Sequence, residues 1–502
     1  MAERSGHVEA THQGGLARNP WMILFAVSLG LFMSVADISI LNIALPSIAD
    51  EMNASIDTIQ WTVIAYTLTL TALVPLFGRI SDIFGRKRLF MAGVFILSLG
   101  SLMAGLSGSV GMLVFSRVVQ AVGGALISTN TLAIVTDTFP PGKRGLAMGI
   151  QGIIISSGAA TGPTLGGFLV THFSWEAVFY INLPVGVLTM VLAAKYLPDL
   201  RSGRTLEPVD WTGGALFVTA LAGALLVFTE GPAWGWLSPG ILALTAFSAA
   251  AFVAFYFWER RVPYPLIDLS LFRDRSFTAG QLTGLLATVC MSALTFMLPF
   301  YWQVIRGLSA QDAGMVMLPL PLTIMCIGPL AGWLSDRFGA DNVASTGLGV
   351  LTVGALFATQ ITADMNITPV VLRIIVIGVG LGLFMAPNNN AVMSTVPPHR
   401  RGIASGLLGT FRFTGQSLGV ALTALIFALT TGTSRLDIHA NMDPELLTVM
   451  SERFMTGMHA VTVVMVPIAA LTLIVSLSRR RPRVQSDTPA FQKASVDDYE
   501  VE

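Results

Sequence analysis

Fourteen stretches of this chain run for about eighteen residues or more almost without charge, and a helix of that length crosses the ~30 Å of hydrocarbon in a bilayer. They lie near 21–45, 58–78, 89–109, 111–136, 145–170, 177–197, 212–229, 238–258, 277–301, 312–335, 342–362, 368–395, 402–430 and 459–478. Spanning β-strands would alternate polar and apolar residues over about ten positions. These runs are continuous, so the fold class expected is an all-α integral membrane protein. Only 12% of the residues are charged, about half the share in a soluble domain, and they collect in short clusters between the runs. That arrangement excludes a soluble enzyme. Twenty-nine Lys plus Arg balance twenty-nine Asp plus Glu, which gives no reason to expect nucleic acid as partner. Cys290 and Cys326 are the only cysteines, so neither a disulfide framework nor a Cys-based metal site is expected.

Basic residues orient the chain. With the N-terminus in the cytoplasm, the loop Lys and Arg fall almost entirely on the inner side, leaving Arg306, Arg435 and Arg453 outside. Both termini are then cytoplasmic, and the first run, long and without a small-residue cleavage pattern, reads as a retained span rather than a signal peptide.

The chain also repeats itself. Gly78-Arg79-Ile80-Ser81-Asp82-Ile83-Phe84-Gly85 matches Gly332-Trp333-Leu334-Ser335-Asp336-Arg337-Phe338-Gly339 at a displacement of 254, Arg117 matches Arg373 at 256, and Pro140–Gly145 matches Pro397–Gly402 at 257. Spans one to six therefore correspond to spans nine to fourteen, with spans seven and eight inserted between. The organisation expected is a tail (1–20), a six-helix bundle (21–197), a two-helix insert with its linkers (198–276), a second six-helix bundle (277–478) and a second tail (479–502). Parallel halves imply a pseudo-twofold axis along the membrane normal and a ligand site between them.

A parallel six-plus-six repeat carrying Gly-x-x-x-Asp-x-x-Gly-Arg-Lys resembles the major facilitator superfamily. Two extra central helices narrow the resemblance to its fourteen-span drug:proton antiporter branch. The residues that carry it are Ala36–Pro46, Gly78–Arg88, Arg117–Gln120, Gly158-x-x-x-Gly162-Pro163-x-x-Gly166-Gly167, Phe179–Gly186, Trp234-Gly235-Trp236 and Pro265–Asp268. Ala121 and Glu176 depart from the family pattern, so no role is carried over to position 176. The resemblance implies a multidrug efflux pump of the plasma (inner) membrane, monomeric, with protons as coupling ion, no other cofactor, and amphiphilic small molecules as substrate.

Asp37 is the strongest single signal, because an ionisable group inside an apolar span is costly and marks an ion or substrate pathway. It is the only acid expected deep within a span. At 1.5 Å per residue it lies about 13 Å below Pro46, and Arg117, seven residues into an inward-running span, lies at roughly 10 Å. The depths agree, so the two can meet if spans one and four both line the cavity, as the resemblance implies. A proton or substrate could then break the pair, and a permanent structural ion pair is the alternative. Arg373 and Arg412 tilt the interior toward cations, which suits neutral, zwitterionic or anionic substrates better than dications; both could equally bind backbone carbonyls.

The resemblance implies a cytoplasmic gate at Gly78, Asp82, Gly85 and Arg86, repeated at Gly332, Asp336 and Gly339. Gly158, Gly162, Gly166 and Gly167, spaced by about four with a kink at Pro163, form a small-residue stripe suited to close helix approach. In span five the resemblance makes this an antiporter motif, which is the main reason to expect export. Cavity polarity is expected from Asn42, Gln60, Tyr66, Asn130, Gln303, Asn388 and Asn389, each of which could instead be an interhelical hydrogen bond. No Gly-x-x-x-x-Gly-Lys-Ser/Thr occurs, so no nucleotide is expected, and the six His show no metal-ligand spacing. The competing readings are an uptake symporter of the same fold and a non-transporting membrane sensor or scaffold.

Overall fold

The computed structural model describes residues 19–54, 56–198, 208–267, 269–308, 310–431 and 444–479. The expected tails, 1–20 and 479–502, fall almost wholly outside them. The described residues contain helices and no strand. The long helices are α1 (Pro20–Glu51), α2 (Ile56–Phe84), α3 (Arg86–Gly105), α4 (Val110–Thr138), α5 (Pro141–Thr161), α6 (Asn182–Tyr196), α7 (Trp211–Trp234) and α8 (Pro239–Glu259). They continue with α9 (Arg275–Phe300), α10 (Pro319–Phe338), α11 (Ala340–Ala358), α12 (Ile367–Ser394), α13 (Arg401–Thr431) and α14 (Pro444–Leu477). Thirteen helices among the described residues are long and apolar enough to cross a membrane. The expected fifth span is the one not among them: α5 is rich in Gly and Ser, and it continues through a π-turn, Gly162–Gly166, into a short helix, Gly167–His172.

Polar caps start several helices where the apolar runs begin. Ser109 Oγ accepts from Met112 N (3.3 Å) at α4, Asp210 Oδ1 from Gly213 N (2.8 Å) at α7, Ser238 Oγ from Ile241 N (3.3 Å) at α8, and Asp274 Oδ1 from Phe277 N (2.8 Å) at α9. Each such cap contributes about 1 kcal/mol, and in lipid the need to satisfy every backbone group internally makes the helical choice decisive. Pro184 breaks the sixth span: it cannot donate to the carbonyl of Tyr180, and the chain divides there into Ala177–Tyr180 and α6.

Packing follows the repeat. The pairings α1–α5, α3–α4, α2–α4 and α1–α6 of the first half recur as α9–α13, α11–α12, α10–α12 and α9–α14 in the second. The halves meet along two seams, α2 with α13 and α5 with α10, and the insert lies against the first of these through α7. The segments Gly78–Arg88 and Gly332–Gly339, helical except at Gly85 and Gly339, lie at one end of the bundle, here the basic face; the other end is the far face.

Two helices run past their expected ends, with consequences. α7 reaches Trp234 rather than stopping near 229, so Glu230 lies inside the helix at 8% exposure. Asp37 is therefore not the only acid buried within a span. α14 begins at Pro444 instead of 459, which places Arg453 on the helix rather than in a loop.

Candidate functional site

Asp37 sits midway along α1 and is 1% exposed. Its Oδ2 accepts from Arg117 Nη1 of α4, and its Oδ1 from Gln120 Nε2 (3.1 Å) of α4 and Asn182 Nδ2 (2.8 Å) of α6. Both amides also donate to Ser101 Oγ of α3, at 2.6 and 3.1 Å. Arg117 and Gln120, three residues apart on one face of α4, hydrogen-bond each other at 2.6 Å. Arg117 donates further to the Thr62 carbonyl (3.3 Å), and its guanidinium lies 4.2 Å over the Tyr66 ring. Tyr66, fully buried, touches Ser34 through its hydroxyl (3.0 Å). The remaining nitrogen, Arg117 Nη2, is buried without a partner. One carboxylate thus ties α1 to α4 and α6 directly, and to α3 through the two amides. Losing one partner of such a pair strands a buried charge, at a cost of about 3–5 kcal/mol.

The matching place in the second half, between α9, α11, α12 and α14, holds no such network. It contains a cavity of about 30 Å³ lined by side chains that include Ala293, Leu351, Ala355, Ile377 and Met458. Among the described residues the ionisable centre belongs to one half only, although the scaffold is duplicated.

At the basic face the halves are locked together. Asp82 accepts from the backbone N–H of Gly402 (2.9 Å) and Ile403 (3.1 Å) in the first turn of α13, and Asp336 accepts from Gly145 (3.0 Å) and Leu146 (3.1 Å) in the second turn of α5. For Asp82 these are free N–H groups of a helix start, where a carboxylate is favourable on both hydrogen-bonding and dipole grounds. Arg86 donates to Asp82 (3.0 Å) and to the Pro398 carbonyl (2.8 Å), and pairs with Asp137. Asp137 also receives Arg401 at 2.7 Å. Asp137, not singled out from the sequence, is the shared anion of this cluster.

Glycine permits the approach. A Cβ on Gly78 would lie 2.6 Å from the Gly402 carbonyl oxygen, and one on Gly332 2.1 Å from that of Gly145. Gly85 and Gly339 have another reason: each precedes a helix with φ near +90° (+97° and +90°), where side chains are strained.

In the π-turn after α5, Gly162 packs so tightly on Ser39 of α1 that a Cβ would sit 2.5 Å from its carbonyl oxygen, and Gly158 and Gly166 approach Val35 and Ile40. Gly167 has open space and takes no part in the contact. Pro163 has no N–H for the Ala159 carbonyl one turn back, and Ser39 Oγ donates to that carbonyl instead, at 2.6 Å. The side chain of Pro163 lies outside the described residues, as does that of Asn42. Toward the far face the α5–α10 seam opens into a cavity of about 310 Å³, with Ser156, Ser157 and Thr161 on one wall and Leu318, Leu322 and Met325 on the other.

The other candidates distribute differently from a single cavity. Asn130 is fully buried near the basic face, accepting from Ser81 and donating to the Leu126 carbonyl (2.7 Å), and Asn390 with Ser335 (3.2 Å) is its counterpart. Asn388 is also committed: it donates to the Gly280 carbonyl (3.1 Å) and accepts from Arg479 (2.6 Å), whose guanidinium also reaches Thr283 and Asp341. Arg373 binds the carbonyls of Phe357 (3.0 Å) and Pro369 (2.9 Å) close to the far face. These three stabilise helix contacts rather than line an open space, because an interhelical partner lay within reach of each. Gln60 and Gln303 are exposed, and Asn389 and Arg412 are half-buried. Gln120, Ser101 and Asn182 were missed as roles; Gln120 and Asn182 lie inside the quoted motifs, and their signal was an amide in an otherwise apolar run.

Residues 27–258 and 211–420 match the family model described as Major Facilitator Superfamily. The riboflavin transporter RibZ of Clostridioides difficile is 35% identical over 412 residues, covering 82% of this chain and 89% of that one. The tetracenomycin C resistance and export protein of Streptomyces glaucescens is 33% identical over 431 residues, with 86% and 80% covered. The multidrug resistance protein Stp of Mycobacterium tuberculosis is 32% identical over 412 residues, with 82% and 76% covered. Among solved structures, the human organic anion transporter MFSD10 (TETRAN) superposes with a TM-score of 0.65 at 16% identity, over 91% of this chain and 99% of that one. That likeness is one of fold.

Proposed function

The chain belongs to the major facilitator superfamily and is a transporter rather than an enzyme, and from that premise we propose that it exports amphiphilic small molecules in exchange for protons. In this reading the protein is a fourteen-span monomer of the plasma membrane. The basic face and both termini are cytoplasmic, and the two six-helix halves, with the insert between them, rock about the central cavity. The state described here is closed at the cytoplasm.

The network around Asp37 carries the proposal. The ionised carboxylate accepts three hydrogen bonds that hold α1 to α4 and α6. Protonation removes the charge that Arg117 answers and turns one oxygen into a donor facing donors. The bonds to α4 and α6 then weaken together, and the closed packing of the half loosens. At 1% exposure the carboxylate is buried away from water in this state, and in this reading proton exchange belongs to the rearrangement itself. Gly162, packed on Ser39 two residues from Asp37, and the Ala159 carbonyl that Ser39 satisfies link that event to the α5–α10 seam.

Export is favoured over uptake by the α5 stripe and by the relatives named for resistance and export. The relative named as a riboflavin transporter keeps uptake as the competing direction. Everted membrane vesicles separate the two. An acid lumen should drive dye accumulation if the protein is an antiporter, and dye depletion if it is a symporter. No pH-dependent flux across a dye and antibiotic panel would contradict both and leave a sensor or scaffold.

A further inference from the structure

Resting on the reading of a transport cavity between the halves, we infer that Arg412 is the anion-binding group of that cavity and that its ligands are amphiphilic organic anions. Among the described residues, three arginines that are not exposed lie six residues or more from both ends of a helix in the two six-helix halves. Arg117 is paired with Asp37 and Arg373 with backbone carbonyls. Arg412, about 16 Å into α13, has no ion pair or hydrogen bond among the described residues; its guanidinium lies 4.9 Å over the Phe413 ring.

Its direction follows from helix periodicity. Ser405, two turns earlier and therefore on the same face of α13, donates across the interface to the Thr129 carbonyl of α4 at 2.7 Å. Gly402, Gly406 and Gly409 press on α2, whereas Gly415 and Gly419 press on α9. Arg412 lies between these two sides and one turn beyond the Gly409 contact, so it faces the space between the halves just past the basic-face seal. Being half-buried, it is reached from that space. Phe413 packs against the apolar cluster of Tyr66, Leu70, Val74, Ala121 and Ala125 in the opposite half and provides an apolar floor beside the charge.

A guanidinium held inside a bundle without a counter-ion is unfavourable. Asp37 does not answer it, because that carboxylate is committed to Arg117, Gln120 and Asn182. The complementary ligand carries a carboxylate or comparable anion on an apolar body, and a permanent cation is the ligand least suited to the place.

Equilibrium binding to the purified full chain, without any pH gradient, tests this with three dyes: the carboxylate 1-pyrenebutyrate, its neutral methyl ester and the cation rhodamine 6G. The wild type should bind the carboxylate most tightly. A hydrogen-bonded charge pair is worth on the order of a 10- to 100-fold change in affinity, so Arg412→Gln should weaken carboxylate binding by that factor and ester binding by less than about twofold. Arg412→Lys should retain most of the preference, and unchanged ester binding reports an intact fold. Equal weakening of carboxylate and ester, or wild-type preference for rhodamine 6G, would overturn the inference. Carboxylate binding that depends on Arg412 without pH-driven flux would sink the antiport reading alone.

Discussion

Asp336→Ala removes the two hydrogen bonds by which α10 holds the second turn of α5, those from Gly145 N and Leu146 N at 3.0 and 3.1 Å. Hydrogen bonds to an ionised acceptor are worth about 1.5–3 kcal/mol each, so the closed state loses at least about 3 kcal/mol relative to an open one in which these groups meet water. That is roughly a 150-fold change in the equilibrium constant. A wild type closed in about 99 of 100 molecules becomes about 40% closed, a shift that is large and readable. Spin labels on Arg88→Cys and Arg337→Cys, both exposed and on opposite halves, report the separation at the basic face, with Cys326→Ser removing the exposed native thiol. Electron–electron resonance on protein in liposomes should show one short distance for the parent and a second, longer population in Asp336→Ala. Asp82→Ala should behave alike, since Asp82 caps α13 through Gly402 and Ile403. If both variants keep the parental distance distribution, the carboxylates do not hold the gate and the reasoning fails.

Gly332→Val acts on the same seam by sterics: its Cβ would lie 2.1 Å from the Gly145 carbonyl oxygen, so the closed population and transport should both fall, with the same label pair as readout. Asn182→Ala leaves Asp37 Oδ1 with one donor instead of two and should destabilise the protein by about 1.5–3 kcal/mol, seen as a lower thermal midpoint; an unchanged midpoint would show that the amide bond contributes nothing net. Ser39→Ala strands the carbonyl freed by Pro163 and should cost about 1–3 kcal/mol while slowing dye efflux, whereas wild-type efflux would separate the α5 kink from transport.

The membrane fold was legible because hydrocarbon thickness imposes a length on every spanning run, and the duplication because Gly78–Gly85 and Gly332–Gly339 differ at few positions. Asp37 and Arg117 were found by depth counting, which needs only the helical rise. What the counting could not supply was lateral direction. Asn130 and Asn388 look from the sequence like Asn389, yet the first two are sealed inside their halves by Ser81, Gly280 and Arg479. Asp137 was hidden for a related reason: it reads as a loop charge until Arg86 and Arg401 arrive from two distant segments. Glu230 was missed by one residue of helix end, in a run where Gly231 and Pro232 suggested a stop.

Counterflow and gradient-driven uptake measured side by side on Asp37→Asn vesicles test the proton-coupling claim most directly. Counterflow needs only a folded protein that binds and exchanges dye, whereas uphill accumulation needs a carboxyl that takes up and releases a proton. The account predicts that Asp37→Asn exchanges dye at a rate near the parent's and accumulates none under an acid lumen. Accumulation equal to the wild type's, at the same pH difference, would contradict it.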